Sequence, residues 1–346
     1  MKVKAECDMN LAGRSLKTAV LWMALSLVAF SPSSARAQSC ETSSELDEAT
    51  RAALTAAGQR YLAMAAKGDV AALRQNSIAG LAAAFSGAEA TVKNHQQDLA
   101  GAQATARSVF LLEAEGSAPL PRAEFYCGVF GKNGQTSGSA VFVLSNLPPG
   151  KYAVVLLDAT SPKARISFSV ILQQAGADWK LGDLYIEPEQ AAGHDSEWFA
   201  ARAREYKTKG QMHNAWLYCL QARGLIAPVP VMSTLATDKL YDESQTLQPA
   251  DVPANGKTAD LAAGTSTYKL TALFPKAVDN DLDLIVTYQA ADISNTNQAY
   301  QNNVAVIRAL VAKHPEVRDA FAGVVARAVD PSGRDYGTLL AMKDIK

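Results

Sequence analysis

Four histidines, His95, His194, His213 and His314, are the side chains here best suited to metal or acid-base chemistry. No two stand at the i, i+4 spacing that puts both imidazoles on one helix face, so a zincin-type site is out and no metal ligand is assigned. His194-Asp195-Ser196 holds the residue types of a catalytic triad, but adjacent side chains point apart, and a working triad is assembled from distant segments. The run reads as a helix cap. Asp279-Asn280-Asp281-Leu282-Asp283 opens like a calcium loop, yet Leu284 stands where Gly is needed and Ala290 where a bidentate Glu is needed. That segment reads as a solvated turn leading into a strand. No Gly-rich phosphate loop, GxSxG elbow or CxxC pair occurs, and no catalytic residue or cofactor is assigned. The carboxylates nearest to strand ends are Asp158, Asp183 and Glu187, where either a catalytic acid or ordinary solubilising charge is at home.

The elements that must position these groups belong to a globular chain. Of 346 residues, 48% are hydrophobic, 19% charged and 7% aromatic, which excludes wholesale disorder and allows two domains. Lys plus Arg number 33 against 34 for Asp plus Glu, so there is no basic excess to neutralise a nucleic-acid backbone.

Lys2, Lys4, Arg14 and Lys17 precede the apolar run Ala19–Phe30, and a polar stretch ends in Ala35-Arg36-Ala37. This is the pattern of a secretory signal peptide cut before Gln38, because the run is about half of what a bilayer-spanning helix needs. Removing residues 1–37 takes away five basic and two acidic groups, leaving 28 against 32, net −4. No later stretch is long and apolar enough to span a membrane, so the expected location is periplasmic or secreted. Acylation of Cys40 is the alternative start, giving a lipid-anchored chain, although Ala37 and Gln38 fit a lipobox poorly. Past the cut stand Cys40, Cys127 and Cys219, an odd count that permits one internal bridge without selecting a pair. Cys127 and Cys219 sit in apolar runs and read as small buried hydrophobes.

From Leu46 to Leu73 the chain is rich in Ala, Leu and Gln, with Leu54, Tyr61, Leu62 and Ala65 at helical spacing. Lys67-Gly68-Asp69 closes that helix, and Asp69 can cap a further turn carrying Leu73. A second helix is expected over about 88–104. Between Arg107 and Glu187, six runs dense in Val, Ile, Phe and Tyr (107–113, 123–130, 139–145, 151–158, 164–173, 178–186) read as an antiparallel meander. Alternation from Arg165 to Val170 places Ile166, Phe168 and Val170 on one face, as a sheet with one wet side requires.

Helices first, then such a sheet ending in Gly176-Ala177-Asp178-Trp179-Lys180-Leu181-Gly182-Asp183-Leu184-Tyr185, resembles the nuclear transport factor 2-like superfamily over residues 46–188. The likeness implies a cone-like curved sheet with the first helix packed in its concavity. It implies a cavity there, for which this sequence offers Tyr61, Phe85, Phe125, Phe142, Phe168 and Tyr185 as lining. Filling a core is the alternative use of the same aromatics. The long interval from Leu73 to Arg107 departs from the simplest members.

Residues 194–227, with Ala203 and Tyr206 before Gly210 and Ala215 and Ala222 after it, resemble one tetratricopeptide helix pair. A single pair cannot bury its own apolar face, so this hairpin (189–241) should dock on a neighbour. Its aromatics Trp198, Phe199, Tyr206, Trp216 and Tyr218 suit core packing or a peptide groove. Residues 242–266 lack apolar period and read as a linker. Strands at 268–274 and 282–288, a helix at 298–313 and strands at 320–329 and 337–342 give a β-β-α-β-β module over 267–346.

The sequence thus predicts an exported α+β protein acting as a non-catalytic binding or assembly module, with a small apolar ligand or a protein as partner. The second expectation is a small-molecule hydrolase or isomerase using carboxylates in the cone. No feature fixes an oligomeric state.

Overall fold

The computed structural model describes residues 38–346 apart from Asn255 and Asp279; the expected signal peptide lies outside the described residues, as does the first position of the calcium-like run. After strand β1 (Ser39–Thr42), helix α1 (Glu48–Ala66) starts where the Asp47 side chain accepts the Thr50 N–H at 2.9 Å. Its buried stripe is Leu54, Gly58, Tyr61, Leu62 and Ala65, as the spacing predicts. Gly68, at φ 67°, turns the chain out of the helix, and Asp69 accepts the Ala72 N–H to cap α2 (Val70–Gln75). Short α3 (Ala79–Ala83) and α4 (Ser86–Leu99) follow. The last ends five residues before the expected 104, because Gly101 adopts φ 72° and strand pairing begins at Gln103.

The strands are β2 (Gln103–Ala114), β3 (Leu120–Cys127), β4 (Ala140–Leu147), β5 (Gly150–Thr160), β6 (Arg165–Ala175) and β7 (Asp178–Pro188). They do not form one continuous meander. β2 pairs directly with β5 from Gln103↔Thr160 to Ala114↔Gly150, which expels the β3–β4 hairpin from the layer. One sheet has the order β1-β2-β5-β6-β7; the hairpin makes a second with a later strand, β10 (Met232–Thr234).

The first sheet therefore carries apolar residues on both faces. Val109, Val155, Leu157, Phe168 and Val170 face α1, α2 and α4. Phe110, Leu112, Val154 and Leu156 face the second sheet, where the Phe110 and Phe142 rings meet edge to face at 5.0 Å. The predicted wet side of β6 is covered: Ser167 and Ser169 are 4% and 0% exposed. Gly58 lets α1 lie close on this sheet, since a Cβ there would stand 2.6 Å from Val155 Cγ1.

A disulfide joins Cys40 of β1 to Cys127 of β3 and so ties the two sheets together. Cys127 is thus a cross-link rather than a free buried thiol. Cys219 is the free cysteine among the described residues; burial pushes its thiol up to about 11.

Beyond a small ladder of β8 (Gln190–Ala191) and β9 (His194–Asp195), Asp195 caps α5 (Ser196–Thr208) by accepting the Trp198 N–H. Gly210 turns the chain into α6 (Met212–Ile226). Parts of the stretch expected to form a linker are structured: α7 (Leu235–Leu247) runs into its beginning and β11 (Ala259–Ala263) lies near its end. Leu247, Val252 and Leu261 are buried there, so sparse apolar residues at the right positions suffice where the average composition is polar.

Strands β12 (Ser266–Val278) and β13 (Asp281–Gln289), helix α8 (Thr296–Lys313) and strands β14 (Gly323–Val329) and β15 (Asp335–Ala341) realise the β-β-α-β-β order, with β11 added at the edge. All pairs are antiparallel except β13–β14, joined in parallel through α8. The hairpin α5–α6 packs with this sheet: Phe199, Tyr206, Trp216 and Tyr218 share one core with Leu284, Ile307 and Phe321.

The disulfide closes a separation of 87 residues. Cys127→Ser should lower the unfolding free energy by about 2–5 kcal/mol, read from urea titrations, whereas wild-type stability should fall by a similar amount on reduction.

Candidate functional site

The six aromatics expected to line one cavity are not brought together. Tyr61, Phe85 and Phe168 belong to the core between the helices and the first sheet. Phe125 and Phe142 lie on the opposite side of that sheet, against the second one. All five are buried. The physical reason is the two-sided burial of β5 and β6, which turns the expected concavity into a filled helix-sheet core. Even the Tyr61 hydroxyl is committed, donating to the Trp179 carbonyl at 2.8 Å.

Tyr185, the sixth, borders a cleft. Leu184 and Ile186 point to the helices, so Tyr185 and Asp183 point to the side of the second sheet. A bulge between Ile171 and Leu172 sets this register. Gly182 sits in it because a Cβ would come within 3.2 Å of the Ile171 carbonyl oxygen. The cleft measures about 370 Å³, with Ile171, Leu144, Leu147 and Val231 as apolar wall and Gln173, Asp183 and Tyr185 as polar groups. The turn after β4 closes one end. There Asn146 takes φ 51°, a left-handed conformation that Asn tolerates better than most residues, and the Tyr152 hydroxyl donates to the Pro148 carbonyl at 2.7 Å.

Within the cleft Asp183 is already satisfied. One carboxylate oxygen accepts the Leu184 N–H at 2.9 Å and the other accepts the Tyr185 hydroxyl. Burial, then the hydrogen bond to Asp183, raises the Tyr185 phenol well above its usual range, so it remains a hydrogen-bond donor at neutral pH.

A second cleft of about 390 Å³ opens where β1 and β2 approach β4 and the Ile226–Pro228 segment. Its rim is rich in hydroxyls, and Arg107 is its one permanently charged lining group. Arg107 is bound by Asp158 and Glu189. Glu187, the third carboxylate singled out in the sequence, lies elsewhere on β7, and burial raises its pKa. The three carboxylates do not converge on one cavity.

Spacing along the chain missed a different convergence. His213, in the first turn of α6, meets His314, at the end of α8, with ring centroids 3.9 Å apart. Glu316 and Asp251 each bond to His213, at 2.8 and 2.9 Å. Burial, then the neighbouring His213, pushes the His314 imidazole down to about 4, while hydrogen bonds from His213 and Lys313 hold Asp251 down at about 2 against its desolvation. No local motif signals this, because the two histidines are a hundred residues apart and only the tertiary fold joins them. His95 pairs with Asp98 on α4, and His194 stacks on Trp198 at 3.6 Å, so neither joins the cluster.

Comparison of the chain with protein-family models, with curated proteins and with solved structures finds no match. No helix among the described residues is long and apolar enough to cross a membrane.

Tyr185→Phe should destabilise the chain by about 1–2 kcal/mol in chemical denaturation, because it leaves half of the part-buried Asp183 carboxylate without its donor. Asp183→Asn, whose amide oxygen can still accept the Leu184 N–H while its NH2 donates to the phenol oxygen, should cost less.

Proposed function

We propose that this chain is an exported, non-catalytic binding module whose cleft beside Tyr185 takes a small molecule with an apolar body and one hydrogen-bonding group. The observation that carries the reading is the lining of that cleft. Its walls are mainly aliphatic, its phenol is held neutral, and its one carboxylate is occupied by two donors. An apolar pocket with a few fixed polar groups suits binding. General acid-base work asks for a second titratable group within reach of the substrate, and Asp158 and Glu187 stand outside this cleft.

Export is supported by the leader pattern of residues 1–37 together with the Cys40–Cys127 bond, since structural disulfides persist in oxidising compartments. The resemblance of residues 46–188 to the nuclear transport factor 2-like superfamily draws support from α1 lying across a five-stranded antiparallel sheet and closing at Gly68-Asp69. The second sheet on the opposite face is a departure from a simple cone. The tetratricopeptide-like reading of α5–α6 draws support from buried Ala203, Tyr206, Ala215 and Ala222 around the Gly210 turn.

Two measurements test the proposal. The mass of the chain recovered from outside the cytoplasm should correspond to a start at Gln38 with one disulfide and no acyl group; a chain found only inside the cytoplasm with residues 1–37 retained would refute export. Titration with the apolar fluorophore N-phenyl-1-naphthylamine should saturate near one equivalent. Ser145→Trp, at the exposed rim of the cleft, should weaken that binding by about tenfold or more. Failure of the wild type to saturate, or equal affinity in the variant, would sink the assignment of the cleft.

A further inference from the structure

Among the described residues, one group of side chains brings two histidines and a carboxylate into metal-binding proximity. One ligand atom each from His213, His314 and Glu316 lies within 4.8 Å of the other two. The three come from separate elements: the start of α6, the end of α8 and the 3-10 turn Pro315–Asp319. We propose that His213, His314 and Glu316 bind one divalent transition-metal ion of the zinc class, with Asp251 holding His213 from behind.

The donor set is the first argument. Two imidazole nitrogens and a carboxylate oxygen suit zinc-class ions, and three protein ligands leave a fourth position for water or another small donor. Hard, oxygen-seeking ions such as calcium would want more carboxylates and carbonyls. Distance is the second argument. Zinc bonds of about 2.0–2.2 Å place neighbouring tetrahedral donors roughly 3.3 Å apart. His213 Nδ1 and Glu316 Oε1 are already 2.8 Å apart, so the third donor needs a shift of roughly 1–2 Å, within reach of side-chain rotation.

The surroundings supply what a metal-bound imidazole requires. If His213 Nδ1 takes the ion, its Nε2–H donates to Asp251 Oδ1, 2.9 Å away, the carboxylate–histidine–metal arrangement that fixes the ring and raises its basicity. The backbone beneath the ligands is tied down. Asn214 Nδ2 donates to the Glu316 carbonyl at 2.6 Å, and the His314 N–H donates to the Leu310 carbonyl at 2.9 Å. Val317, next to Glu316 in the chain, is itself part of the core and 2% exposed. The His213, His314 and Glu316 side chains are 16%, 8% and 22% exposed, which shields the site while leaving a way in.

Charge also fits. Glu316 and Asp251 together offset a divalent ion beside two neutral imidazoles. Lys313, which pairs with Asp251 Oδ2 at 3.1 Å, is a nearby cation; its side chain is 39% exposed and can swing into water.

The test uses the exported chain without a histidine tag. Zn²⁺ should bind at one equivalent in competition with a chromophoric chelator, and Co²⁺ should give the intense visible absorption of low-coordinate ligation. His213→Ala, His314→Ala and Glu316→Gln should each weaken binding at least about tenfold, and Asp251→Asn about 10- to 100-fold. His95→Ala should change nothing. Glu316→Gln keeps the side-chain size and the Asn214 contact, which goes to the backbone, so it is the arm least exposed to misfolding. Zn²⁺ should raise the unfolding temperature of the wild type more than that of Glu316→Gln. Absence of stoichiometric binding by the wild type, wild-type affinity in Glu316→Gln, or a weak octahedral Co²⁺ spectrum would overturn the proposal.

Discussion

Two-sided burial of the sheet β1-β2-β5-β6-β7 is the constraint on which the rest of the structure depends. From Tyr152 to Leu157 every residue of β5 is buried, so both faces of the sheet must be covered. The helices α1, α2 and α4 cover one and the β3-β4-β10 sheet covers the other. At about 25 cal/mol per Å² of apolar surface, covering both faces far outweighs any single hydrogen bond in the molecule. The Cys40–Cys127 bond acts at the margin of the same arrangement, fixing an edge strand of one sheet to the hairpin of the other.

Much of the fold was legible because local rules and tertiary packing agree. The α1 stripe, the Gly68-Asp69 junction, the Asp195 cap and the β-β-α-β-β order all follow from spacing and capping chemistry that acts over a few residues. The mixed α+β class follows from the same signals. What was illegible is what depends on pairing between distant strands. The six runs between Arg107 and Glu187 look alike in sequence, and nothing local states that β2 skips the hairpin to pair with β5. Ser167 and Ser169 depart from local pattern for a related reason, since alternation with polar residues normally marks a wet face. Here both hydroxyls are buried without a protein partner, an exception that single-strand patterning does not foresee.

The site residues divide along the same line. Tyr185 and Asp183 stand two residues apart on one strand and so share a face, but which side of the sheet that face meets, and the cleft beside it, depend on the Gly182 bulge and on the second sheet. The aromatics grouped with Tyr185 in the sequence part company because the sheet separates Phe168 from Phe142. Neither His213 nor His314 has a histidine one helical turn away, so nothing in their local spacing links them. Helical spacing tests only ligands on one helix, and a site shared by three elements passes through that sieve.

Both clefts and the histidine cluster lie where separately packed layers meet. Layers pack densely within themselves, and the mismatch between their shapes collects at the seams. Between the two sheets that mismatch leaves two clefts, one walled mainly by aliphatic side chains and one rimmed by hydroxyls. Between α6 and the end of α8 it gathers polar groups, because helix termini expose backbone donors and acceptors that attract them. Tyr206 and Tyr218 show this directly, each donating to a carbonyl of the 319–320 turn. The same need to satisfy chain ends that draws those hydroxyls inward holds Asn214 on the Glu316 carbonyl and presents the Glu316 carboxylate to His213. The cluster's geometry is therefore a consequence of how the helix pair is fastened to the C-terminal sheet.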